Sequence, residues 1–381
     1  LSPNVPAFMS RSEGPTGGQR LFVQGTYNGR LSNFGETLTL IARDGTEMDS
    51  YTTPVSASDV QNFLRVAEVH YNPAGATDST EFIELVNISS DQALDLAGVQ
   101  ITDGPETPFV IPAGTTLAAG QRLVIARNRE ALLQANPDLA GEAVLGDFVG
   151  NLNNNGERIK VDDADGNTVV DFRYDDSTIW PQSADGAGAS LVVIDVNANV
   201  DELSKDYRWR GSFEFGGSPG AEGAAPIDVV VNEVLSNTGG QDDAIEILNN
   251  SAVEVDLGGW FLSDDSDNLR KYQIAQGTSI APGGYVVVTE ALFNSDAAND
   301  AFALDGDDGD DVWLSAPSGD SIGFVDDVHF GGSRNSESFS RQPNGVGYLW
   351  PSTPSLNAAN GAARSPQVVI SELHYNPAEP T

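Results

Sequence analysis

Residues 63–77 read FLRVAEVHYNPAGAT, and residues 367–381 read QVVISELHYNPAEPT. Between them, from Val229, stands VVVNEVLSN, a third variant with Glu68, Glu233 and Glu372 at one shared place. Each is a β-branched run ended by turn residues, which is how a strand running into a corner is written. A phrase that returns at intervals marks a repeat architecture, so its neighbours should return as well. They do. EFIELVN (81–87) and LDLAGVQITDG (94–104) are answered by AIEILNN (244–250) and VDLGGWFLSDD (255–265). FVIPAGTTLAAGQRLVIAR (109–127) is answered by YQIAQGTSIAPGGYVVVTE (272–290), each a strand, a Gly/Pro corner and another strand.

A closing hairpin occurs three times, as YNGRLSNFGETLTLIARDGTEMD (27–49), FVGNLNNNGERIKVDDADGNTVVD (148–171) and LDGDDGDDVWLSAPSGDSIGF (304–324). Gly35, Gly156 and Gly309 open it; Gly45, Gly166 and Gly319 take its tip, where a tight turn needs positive φ. The two full units end alike, in WRGSFEFGGSPGAEG (209–223) and WPSTPSLNAANG (350–361). The chain therefore parses into a back half-unit at 1–54, complete units at 63–224 and 226–362, and the first strand of another at 366–381. It reads as a window on a longer array. The linkers PVSASDVQN, GAEGAAP and AANGAARSP are short, the first suited to a helical turn, so adjacent units should form a semi-rigid rod.

Composition narrows the function. Fifty-six Asp and Glu face nineteen Lys and Arg across 381 residues, for a net charge of −37. Such a surface repels phosphate backbones, so nucleic acid is not an expected partner. There is no cysteine, which removes disulfides, thiolate zinc sites and cysteine nucleophiles. No apolar run approaches the roughly 20 residues that span a bilayer, so no membrane insertion is expected from this segment. The chain opens on Leu1, and the lack of a leader there says little about a full-length protein. Short alternating strands, with turn signals every 8–12 residues, argue for an all-β chain of tandem sandwiches of about 100–150 residues each. Ile83, Leu85, Leu96, Val99, Ile101, Leu123, Ile125, Ile159 and Val161 are the expected inward-facing residues. NREALLQANPD, starting at Asn128, is the exception: a short surface helix.

The order of these motifs resembles the lamin tail domain, an immunoglobulin-like β-sandwich. It is most similar to bacterial versions strung along large secreted or cell-surface proteins. Residues 63–224 match best, and the ELHYNPAEPT phrasing is similar to domains that accompany spore-coat-type kinase modules. No kinase module is visible here, and the unit from 226 departs from the pattern with LSNTGGQDD in place of HYNPAG. The family's domain in nuclear lamins binds partners and is not catalytic. The resemblance thus implies a non-catalytic structural or adhesive segment at the cell surface, with neighbouring repeats, other surface proteins or polysaccharide as partners. The alternative is an accessory carbohydrate- or protein-binding module of a secreted enzyme.

GDSIG at 319–323 matches a serine-hydrolase elbow, but that chemistry needs a strand–helix turn, and the residues after Ser321 read as strand. GDDGDDVWL from Gly306 reads as a hairpin before a calcium loop, with Asp305, Asp307, Asp308, Asp310 and Asp311 left able to hold a cation loosely, and VDDADGN from Val161 reads as a turn. His70, His329 and His374 lack companions for a transition-metal site. Trp260, Trp313, Trp350 and Tyr285 read as core or rim rather than a sugar-binding face. No nucleophile, base and orienting group converge, so the chain is not expected to be an enzyme. Calcium is the sharper idea. In a meander the end of the first strand, the start of the second and the end of the third meet at one rim. That rim would gather Asn72, Asp78, Glu81 and Asp103 in one unit. In the next it would gather Asn237, Asp242, Asp243, Asp264, Asp265 and Asp267, donors of the type Ca2+ takes.

Overall fold

A computed structural model describes residues 36–364, except 43, 53–55, 76, 238, 240–241, 296–300 and 320. Gly35, Glu372, His374 and the expected strand at 366–381 lie outside the described residues. Strands β1 (Thr37–Ile41) and β2 (Glu47–Thr52) form an antiparallel hairpin of their own, with Gly45 at φ 89° in its turn.

From Asp59 to Arg364 the chain forms one compact unit that holds two sandwiches. A short helix α1 (Asp59–Phe63) leads into the first, so the linker's helical turn is present. Its strands are β3 (Leu64–His70), β4 (Phe82–Asn87), β5 (Leu94–Asp95), β6 (Gln100–Asp103), β7 (Phe109–Val110), β8 (Thr116–Leu117), β9 (Arg122–Ala126), β10 (Val144–Leu145), β11 (Arg158–Asp162), β12 (Thr168–Arg173), β13 (Leu191–Val193) and β14 (Trp209–Gly211). One sheet has the order β10-β9-β4-β3-β13-β14 and the facing sheet β12-β11-β6-β7; β5 and β8 form a small ladder. The second sandwich repeats the plan with β15 (Val229–Asn237), β16 (Ala244–Asn249), β17 (Val255–Asp256), β18 (Phe261–Ser263), β19 (Tyr272–Gln273), β20 (Ser279–Ile280), β21 (Tyr285–Thr289), β22 (Gly309–Ser318), β23 (Ser321–Gly331), β24 (Glu337–Gln342) and β25 (Tyr348–Ser352). Its sheets run β21-β16-β15-β24-β25 and β19-β18-β22-β23.

The apolar faces meet as the alternation predicts. None of the nine expected inward residues is more than 4% exposed, and all belong to one core between the sheets. The polar faces do not behave as alternation predicts. Every residue of β4 and of β16 is buried, Glu84 and Glu246 included. In the first sandwich the helix α2 (Arg129–Ala135) lies over the outer face, and Leu132 packs with Phe82, Val124, Ala126 and Val144. Asn128 caps this helix by accepting the Ala131 N–H at 3.0 Å, as the Asn-led run suggests.

Two further details recur in both units. Asn87 and Asn249 end the second strand fully buried, each donating its amide to two carbonyls: Gln92 and Leu117, and Val253 and Ile280. Gly156 and Gly309 open the closing hairpins at φ 85° and 96°. A Cβ there would lie 2.6 Å from the Tyr174 carbonyl or 2.2 Å from that of Phe330, so only glycine fits.

Candidate functional site

The rim residues come first, because calcium depends on them. In the first sandwich Asn72 is spent on neighbours, donating to Asp185 at 2.6 Å and accepting from Asn154 at 3.0 Å. Asp78 and Glu81 come together on Arg127, at 3.5 and 3.7 Å, while Asp103 pairs with Arg158 at 3.1 Å. In the second sandwich Asn237 donates to the Ser333 carbonyl, and Asp243 accepts from the Leu304 N–H. Both line an open cavity with Asp305 and Asp307. Asp264 and Asp265 instead share Lys271, Asp267 donates its N–H to Asp265, and Asp242 is exposed. Among the described residues no three Asp, Glu or His side chains are grouped to hold a metal ion. The rims are therefore chiefly networks of ion pairs and loop hydrogen bonds.

The other flagged residues have local duties. Ser321 starts β23 and pairs across the hairpin with Ser318, so strand follows it rather than helix. His70 is buried edge-on against Phe82, and burial lowers its pKa to about 4, leaving it neutral. His329 meets Asp311 at 2.7 Å across the β22–β23 ladder. Trp260 and Trp313 are buried and Trp350 is exposed.

The most constructed polar site lies elsewhere, and it occurs twice. Glu68 on β3 stands opposite Glu84 on β4, and Glu233 on β15 opposite Glu246 on β16. All four are essentially inaccessible. Glu68 accepts from the Ser190 hydroxyl (2.5 Å) and from both the N–H and hydroxyl of Ser218 (2.8 Å each). Glu84 accepts from the Gly220 N–H (2.6 Å) and from Arg122. Glu233 likewise takes the Ser338 hydroxyl (2.5 Å) and the N–H and hydroxyl of Ser355 (both 2.9 Å), and Glu246 takes the Asn357 N–H. In each unit a cross-strand carboxylate pair thus grips the segment by which the chain leaves the sandwich, at one residue and again two residues on. Two like charges directly opposite on a sheet would repel. Here hydrogen bonds and, in the first unit, Arg122 offset that cost. In the second unit Tyr285 occupies the register position of Arg122, and Asn232 donates to Glu246 instead.

Burial pushes several carboxyls upward: Glu81 and Glu84 to about 8, and Asp243 and Asp327 to about 6. Each holds a proton in the folded chain over a pH range where the unfolded chain, with carboxyls near ~4, has lost it. This stabilisation is complete below about pH 4 and is lost as pH rises through 6 and then 8. The net charge acts in the same sense, because acidification relieves self-repulsion. We expect the Tm near pH 5.5 to exceed that near pH 8.5 by about 5 °C or more. A melting series across that range checks it; a flat or inverted profile would refute the assignment.

The second constructed site is the joint between the sandwiches. Phe324 on β23 donates its N–H to the Phe213 carbonyl at 2.8 Å, and Glu214 forms an antiparallel bridge with Gly323. Phe215 stacks on Phe324 with ring centroids 6.4 Å apart. Ala187 and Ala189 from the first sandwich share one apolar cluster with Leu269, Trp313, Ile322 and Phe324 from the second. Gln182 donates its N–H to the half-buried Asp327 at 3.0 Å. Sequence reading missed this joint. Its one local signal was the long β23, whose apolar residues fall on both faces where the shorter β12 has charges on one.

Three comparisons with known proteins bear on identity. No curated protein and no solved structure matches the chain. Among the described residues no helix is long and apolar enough to cross a membrane. The sequence model of a family described as Lamin Tail Domain matches residues 58–176 and 222–331, more than half of the chain, and each match begins one of the two sandwiches. The chain is a member of the lamin tail domain family and carries that domain twice in tandem.

Proposed function

We propose that this chain is a non-catalytic structural or adhesive segment of a large extracellular bacterial protein, a stiff spacer built of serially docked sandwiches. The observation that carries the reading is the joint. Consecutive domains are joined by backbone pairing and a shared apolar cluster, where a freely hinged pair would leave the linker to do all the work. The carboxylate grips add to it, because they fasten each exit segment to its own sandwich. The high net negative charge suits a chain that must extend in solvent and resist self-association. With no native cysteine, Thr107→Cys and Glu254→Cys offer two unique exposed labelling points, one per sandwich. Spin labels there should give a single narrow distance distribution by pulsed electron resonance. A broad distribution would sink the spacer reading.

Calcium belongs to the same proposal as a stiffening ion at the second rim, where Asn237 and Asp243 line an open cavity and further acidic side chains would have to be drawn in, since among the described residues no three are grouped for a metal. Millimolar calcium should raise the Tm over a chelator control by at least a few degrees, following RT ln(1 + [L]/Kd). No shift would remove calcium and leave the spacer role intact.

A further inference from the structure

Beside the joint lies a cavity of about 640 Å3, with walls drawn from both sandwiches. That volume lies within the range of about 300–1,000 Å3 typical of small-ligand sites. Its rim is unusual for so acidic a protein. Ile179, Ile194 and Tyr207 from the first sandwich and Tyr348 from the second all line it, and all are 45–57% exposed. Trp180 and Trp209 close the wall behind them. Solvent-exposed aromatics concentrated at one cleft mark a binding surface more than a packing remnant.

The two tyrosines are also held in place. The Arg208 guanidinium lies 5.4 Å from the centroid of the Tyr207 ring, and Glu202 pairs with Arg208 from behind. Tyr348 donates its hydroxyl to Asp206 of the opposite sandwich, which raises the tyrosine pKa to about 12. Rings fixed before a ligand arrives lose little freedom when it binds.

The charged groups of the cleft already have partners in the protein. Arg341 grips Asp326 at 2.7 and 2.9 Å, Arg210 donates to the Gly211 and Ala224 carbonyls, and Asp327 is taken by Gln182. The chain's net charge repels an anion. What remains is a ligand with flat C–H faces for the rings and hydroxyls for the polar rim. We infer that the cleft between the sandwiches binds a neutral saccharide, stacked on Tyr207 and Tyr348. This site goes beyond the spacer reading and does not depend on it.

The full chain should be titrated with cellohexaose, maltohexaose and hexa-N-acetylchitohexaose, read by the fluorescence of the tryptophans in the cleft wall. At least one of these should bind, while hexagalacturonate should not. Tyr207→Ala and Tyr348→Ala should each weaken binding tenfold or more with the melting curve preserved. Tyr348→Phe keeps the ring and should retain most of the affinity. Binding by none of the neutral glycans would overturn the inference, as would binding unaffected by both alanine variants. A Tyr348→Phe loss as large as that of alanine would also overturn it. So would binding only by a cationic peptide of alternating valine and lysine, which would indicate strand addition at the cleft instead.

Discussion

Glu68→Ala should lower the Tm by roughly 6–12 °C, the effect of about 3 kcal/mol on a domain of this size. The carboxylate accepts three hydrogen bonds in a site with no access to water. Removing it strands the Ser190 hydroxyl together with the N–H and hydroxyl of Ser218, and each buried orphan costs about 1–3 kcal/mol. The exit segment from Ser218 to Gly220 then keeps only the hold from Glu84. Glu68→Gln separates charge from geometry. It keeps an acceptor oxygen, and burial already raises the Glu68 pKa, so the amide should cost clearly less than the alanine. Glu233→Ala should reproduce the alanine effect in the second sandwich, because its three donors are equivalent. Calorimetry of the three variants decides the matter. A Glu68→Ala change within a degree of wild type would mean that Glu84 and packing suffice to hold the exit segment.

The second large effect should come from Gly323→Val. At Gly323 a Cβ would lie 2.1 Å from the Phe213 ring, with the rest of that ring edge inside 2.5 Å, so even one methyl group forces the aromatic out of the joint. The Glu214 bridge and the Phe324–Phe213 hydrogen bond lie on the same few residues and should go with it. Forcing the half-buried Phe213 ring out of place removes its apolar contact and overpacks the joint, at a cost of about 1–3 kcal/mol, against docking contacts that are few and partly polar. The first sandwich keeps its own core, while the second loses the Phe213 ring that packs against its core edge. The spin-label distance between Thr107→Cys and Glu254→Cys should broaden, and a single cooperative melt should split into two. A narrow distance in the valine variant would show that the linker and the Gln182–Asp327 contact suffice to hold the joint.

Much of the architecture was legible from residues alone. The repeated phrases, the glycines at hairpin tips and the alternation of Ile83, Leu85, Ile159 and Val161 are short-range patterns. They report which residues lie in strands and which side faces the core. Asn128 as a helix cap is equally local. The acidic rims show where such reading runs out. Clustering in sequence named Asp78 and Glu81, but the side chain that receives them, Arg127, comes from beyond another strand, whereas Asp264 and Asp265 meet Lys271 within their own loop. A carboxylate's distant partner cannot be read from its own neighbourhood.

The same reason separates what the sequence determined from what the tertiary structure decided. Strand class, the tandem repeat and the inward faces follow from backbone propensity and from burial with a two-residue period, which act over a few residues. The carboxylate grips, the joint and the cleft depend on chain segments brought together by folding. Glu68 meets Ser218 across 150 residues, and Tyr348 reaches Asp206 across 142. Alternation puts Glu84 and Glu246 on the faces opposite Ile83 and Ile247, and it counts faces without knowing that a distant segment will lie over one of them. Tertiary packing turned those polar positions into buried anchors and two separate sandwiches into one docked body.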